Sequence, residues 1–95
     1  MLNPTTINKT LTSADTEYSV DLTGVRQFSM QCRTASDVRF AFETGKVATS
    51  TAPYATMKSG STFDSPSPIS GTKFSGSIYL ANAAGSVVVE LVLWY

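Results

Sequence analysis

The sequence predicts an all-β domain, a small antiparallel β-sandwich or jelly roll of about seven or eight strands. Apolar and polar residues alternate with period two along most of the chain, as strands with one buried and one wet face require. The alternating runs are short, and Gly-, Ser- and Thr-rich steps separate them. No stretch carries a helical period of apolar residues.

From the N-terminus, Ile7, Lys9 and Leu11 make a weak first alternation. Residues 1–16 are expected to be an arm or a weak first strand, because the Asn3-Pro4-Thr5-Thr6 opening offers little apolar surface. Residues 17–95 then form the single sandwich domain, since a chain of this length wraps around one core. Within it Tyr18, Val20 and Leu22 alternate with Ser19 and Asp21, and Thr23-Gly24 supplies the turn to the next strand.

The clearest strand is Phe28-Ser29-Met30-Gln31-Cys32-Arg33, with Phe28, Met30 and Cys32 on one face. After Thr34-Ala35-Ser36 the pattern repeats, Val38, Phe40 and Phe42 inside and Asp37, Arg39 and Ala41 outside, so these two runs are expected to pair as a β-hairpin. Glu43-Thr44-Gly45 opens a Thr-, Ser-, Ala- and Pro-rich loop that lasts to Tyr54. Short strands are expected over residues 54–58 and from Phe63, on either side of Ser59-Gly60-Ser61. Pro66 and Pro68 cannot donate to a ladder, so residues 65–71 read as loop or edge.

Residues 77–80 alternate again, Ile78 and Leu80 inward and Tyr79 outward, and Asn82-Ala83-Ala84-Gly85 is a turn. Residues 87–95 are the most hydrophobic run. Its consecutive valines argue for a strand over a buried helix, and its length for a central strand covered on both faces, with Val87, Val89, Leu91 and Leu93 the deeper set. The predicted core comprises Phe28, Met30, Val38, Phe40, Ile78, Leu80, Val89 and Leu91.

The composition disfavours chemistry. Histidine is absent, which removes the commonest general base and metal ligand. The carboxylates Asp15, Glu17, Asp21, Asp37, Glu43, Asp64 and Glu90 are single, and no phosphate loop, dinucleotide fingerprint or nucleophile elbow is present. No catalysis, cofactor or metal is expected. The 7 basic and 7 acidic residues cancel and are scattered, so no nucleic-acid footprint is visible. No apolar run approaches a membrane span, and the N-terminal residues lack a signal-peptide core, so Asn8-Lys9-Thr10 carries no weight as a glycosylation acceptor. The lone Cys32 excludes an internal disulfide and reads as a small core hydrophobe.

A 42% hydrophobic, 15% charged chain has a surface suited to being partly covered. Its aromatics exceed what one inward strand face demands, and Tyr54, Phe63, Tyr79, Trp94 and Tyr95 are candidate protein-interface residues, with self-association to a dimer or trimer expected through them. The alternative is a carbohydrate-binding module, in which Tyr79, Trp94 or Tyr54 stacks on a sugar ring and Asn82 or Asp64 hydrogen-bonds its hydroxyls.

At Arg26-Gln27-Phe28-Ser29-Met30-Gln31-Cys32-Arg33-Thr34, at Asp37-Val38-Arg39-Phe40-Ala41-Phe42, and again at Ser77-Ile78-Tyr79-Leu80 and Gly85-Ser86-Val87-Val88-Val89-Glu90-Leu91-Val92-Leu93-Trp94, the chain resembles a group of small tailed-phage proteins. The resemblance implies a virion accessory role, capsid decoration or cement, with the major capsid protein or another virion protein as partner; a tail or baseplate accessory protein is the alternative. It implies synthesis in the host bacterial cytoplasm and residence in the virion, and it carries over no catalytic residue.

Overall fold

Strands form where the alternation is strongest. The computed structural model describes residues 4–65 and 72–95, and among them lie eight strands: β1 (Pro4–Leu11), β2 (Tyr18–Asp21), β3 (Gln27–Cys32), β4 (Val38–Ala41), β5 (Ala55–Met57), β6 (Thr62–Asp64), β7 (Ser77–Ala81) and β8 (Val87–Trp94). Beyond Ser65, the expected 65–71 loop lies outside the described residues.

The strands make two four-stranded antiparallel sheets, in the orders β1-β8-β3-β6 and β2-β7-β4-β5. The pairs β1·β8, β2·β7, β3·β6 and β4·β5 are nested, as in one long hairpin rolled into two layers. This is jelly-roll topology, and the all-β sandwich read from the sequence is the fold found.

Inward side chains of both sheets fill one core. Phe28, Val38, Ile78, Leu80, Val89 and Leu91 are wholly inaccessible, and Met30 and Phe40 nearly so. The deeper set on β8 is also as expected, with Val87, Val89, Leu91 and Leu93 buried. The expectation that β8 is covered on both faces is corrected. It is central in the ladder, between β1 and β3, but its other face, with Val88, Glu90, Val92 and Trp94, is only half-buried.

A second correction concerns β3 and β4, which are not a hairpin. They belong to opposite sheets, and residues 33–37 carry the chain from one layer to the other. Alternation records which face of a strand is buried; it says nothing about which strand lies beside it. Both runs face the same core from opposite sides, so their patterns match.

Phe42 and Ala41 exchange the expected places. β4 ends at Ala41, and Phe42 just beyond it is 50% exposed, whereas Ala41 is buried. The cause is the 42–54 loop, which folds back over the outer face of the second sheet. There Val47 is inaccessible and packs with Ala41 and Ala81 in a small second core that Tyr79 flanks. Three polar contacts hold the loop down: Arg39 Nε donates to the Val47 carbonyl at 2.7 Å, and the Glu17 carboxylate accepts from Thr44 Oγ1 at 2.7 Å and the Gly45 N–H at 2.8 Å.

Among the described residues, no loop covers the first sheet in the same way. β1 pairs with β8 over its whole length, Pro4↔Trp94 to Leu11↔Val87, and contributes the buried Leu11 and the half-buried Ile7 to the core. β1 is thus a full strand of the first sheet.

Candidate functional site

Chain direction sorts the connections to two ends of the sandwich. Residues 12–17, 33–37, 58–61 and 82–86 link strands at one end; residues 22–26 and 42–54 link them at the other, where Ser65, residues 72–76, Pro4 and Trp94 also lie.

The first end is polar and tightly bonded. Arg39 Nη2 donates to Asp15 Oδ1 at 2.7 Å, and Lys58 Nζ to Asp37 Oδ2 at 3.2 Å. The Asp37 carboxyl is held below the ordinary carboxylate range by the Ser59 N–H and then by Lys58; Glu90 is held down by Gln31 and then Arg33. Asn82 is 1% exposed and uses its whole amide: Nδ2 donates to Ser36 Oγ (2.7 Å) and the Asp37 carbonyl (2.6 Å), and Oδ1 accepts from the Ala84 and Gly85 N–H groups (2.8 and 2.7 Å). It is a structural keystone with nothing left to offer a sugar.

The opposite end is aromatic. The exposed large apolar residues among those described are Phe42, Tyr54 and Tyr95, and all three are here. Behind them the chain's phenylalanines form one cluster. Phe28 meets Phe74, Phe63 and Phe42 with ring centroids at 5.5, 5.8 and 6.5 Å, and Phe40 meets Phe63 and Phe42 at 4.8 and 6.4 Å. Phe42 and Tyr54, with Pro53 and Glu43, border a depression of about 250 Å³. Tyr95 lies over the turn at Gly24, where a Cβ would stand 3.9 Å from its ring.

Of the expected interface residues, Tyr54, Trp94 and Tyr95 come together at this end, Trp94 half-exposed opposite Pro4 and Gln27 on the outer face of the first sheet. Phe63 turns inward to the ring cluster. Tyr79 points outward as read, but from the second sheet and beside the covering loop. Tyr79 thus stands apart from Tyr54 and Trp94. Sequence reasoning missed Phe42, because continued alternation placed it inside; the clue was Glu43-Thr44-Gly45, which ends the strand.

Cys32 is half-buried at the end of β3, and burial pushes its thiol up, away from the reactive thiolate. Among the described residues no three His, Cys, Asp or Glu side chains gather as a metal site, and no helix is long and apolar enough to cross a membrane. Comparison with protein families, curated proteins and solved structures gives no match.

Proposed function

We propose that this chain is a non-enzymatic structural protein of a phage particle, seated by its aromatic end on the assembled capsid as a decoration or cement protein. One observation carries the reading: the exposed large apolar side chains among the described residues, Phe42, Tyr54 and Tyr95, occupy one end of the sandwich, opposite a polar and internally bonded end. An apolar patch with aromatic anchors and a charged rim, here Asp21, Arg26, Glu43 and Lys73, suits a protein interface. The likeness to small phage proteins supplies the partner. Each seated copy stabilises the assembled shell by mass action, and particle symmetry repeats the contact. The same end serves self-association to a dimer or trimer.

Mass spectrometry of purified particles of the encoding phage tests the reading. The protein should co-purify with heads, and replacing Phe42, Tyr54 and Tyr95 together by Ser should leave the chain folded and free of particles. Absence from the virion, or undiminished attachment of the triple variant, overturns the proposal; recovery with tails replaces it by a tail or baseplate role. In light scattering at micromolar concentration, a mass near 10.1 kDa would rule out self-association.

A further inference from the structure

The outer face of the first sheet, which no described loop covers, carries a second feature on the flank of the sandwich. A shallow depression of about 380 Å³ lies across β1, β8, β3 and β6, within the size range of small-molecule sites. Its floor is Val92 on β8, with Thr6 and Ser29 opposite it on the flanking strands and Asp64 beyond Ser29 on β6. The next row supplies Glu90, Gln31 and Thr62. Trp94 follows Val92 by two residues on the same outward face, so an indole borders the row.

The lining selects among ligand classes. It holds no cation among the described residues, and the neighbouring Arg33 is tied to Glu90 at 2.8 Å, so an anion finds carboxylates and no counter-charge. A metal ion is poorly served, because Asp64 and Glu90 rise from strands with β3 between them, about 10 Å apart, and Glu90 is already engaged by Gln31 and Arg33. Three neutral hydroxyls, an amide and the Asp64 carboxylate around an apolar floor match a ligand with hydroxylated edges and apolar C–H faces.

We infer that this depression is a binding site for a neutral saccharide, with the C–H face of the ring on Val92 and toward Trp94, and its hydroxyls donating to Asp64 and exchanging hydrogen bonds with Thr6, Ser29 and Thr62. The residues differ from the stacking set read in the sequence: only Asp64 and Trp94 are shared. The lining lies on the flank of the sandwich, and of the residues around it only Trp94 belongs also to the aromatic end. A shallow site binds weakly, and many copies on one particle convert weak binding into avidity. The inference does not depend on the capsid reading.

The test is an NMR titration of the whole chain with D-glucose, D-galactose, D-mannose and N-acetyl-D-glucosamine, each to about 50 mM, because a shallow site holds a sugar at millimolar Kd. At least one sugar should shift the amides of Ser29, Gln31, Thr62 and Asp64 saturably and change Trp94 fluorescence. Asp64→Ala should weaken that binding about tenfold or more, as loss of a hydrogen bond to a charged group does. Asp64→Asn, which keeps the side-chain shape, gives the same loss should the alanine variant misfold, and Thr49→Ala in the loop over the opposite sheet leaves binding unchanged. No shift with any of the four sugars, shifts scattered outside the depression, or unchanged affinity in both Asp64 variants overturns the inference. Particle attachment of the Asp64 variants is unaffected, so failure here and failure of capsid seating are told apart.

Discussion

Phe28 and Phe42 belong to one ring cluster but differ in exposure, 0% against 50%, and this makes them a controlled pair. Phe28→Ala removes a fully buried ring that touches Phe74, Phe63 and Phe42. Truncation withdraws about 130 Å² of apolar surface, worth about 3 kcal/mol at ~25 cal/mol per Å². The cavity left among rings fixed by both sheets raises the cost to about 4 kcal/mol. A chain of this length has a total stability of roughly 5 to 14 kcal/mol, so the variant loses a large part of it, and its Tm should fall by about 15 °C or more. Phe42→Ala opens no closed cavity and should cost about 1 kcal/mol. Urea unfolding followed by Trp94 fluorescence and by circular dichroism gives both values from the midpoint at constant slope. A cost below about 1.5 kcal/mol for Phe28→Ala, or equal costs for the two, would refute the placement of the core.

Other perturbations probe the polar end. Asn82→Ala leaves two N–H groups and the Asp37 carbonyl without partners at a 1% exposed position, and should cost about 2 to 4 kcal/mol in the same assay. Gly85 has φ +77°, and a Cβ there would lie 2.8 Å from the Ala14 nitrogen, whereas Gly60 at φ +81° has open space. Gly85→Ala should therefore destabilise by about 2 kcal/mol more than Gly60→Ala; equal effects would show that the approach to Ala14 relaxes freely. Asp21, Asp37 and Glu90 are all held below their ordinary pKa, by the Thr23 N–H, the Ser59 N–H and the Gln31 amide first. A depressed folded pKa gives stability that is complete above pH ~5 and is lost as pH falls through the folded values. Urea midpoints measured down to pH ~2.5 should fall less steeply for Asp37→Asn, and an identical acid limb would remove Asp37 from the account.

The sequence displayed burial better than neighbourhood. Faces of β3, β7 and β8 could be read because alternation is a local consequence of the pleat. The partners of β3 could not, since the choice between β4 and β8 depends on how the two layers close. Val47 is a single apolar residue in a Thr- and Ser-rich loop, with no period to announce that it would bury Ala41 and Ala81. That contact explains why Arg39 and Ala41, read as outward and wet, are outward and covered. Among the aromatics, Tyr54 and Tyr95, read as members of strands, lie just outside β5 and β8 and stand out of the core, while Phe63 on the three-residue β6 was captured by Phe40 and Phe28. Short strands leave such choices to tertiary packing.

β8 is the last of the eight described strands in chain order, yet it occupies an inner position, between β1 and β3. Until residues 87–94 leave the ribosome, β1 has no ladder partner and β3 has only the three-residue β6. The sandwich therefore cannot close until β8 is available, and folding is slow for a domain of this size, because its outermost pairing joins Pro4 to Trp94. The nascent form carries an open slot bounded by two unpaired strand edges and floored by Phe28, Met30 and Leu11. An extended apolar segment of another copy can enter that slot, so truncation before β8 should turn a well-behaved protein into an aggregating one.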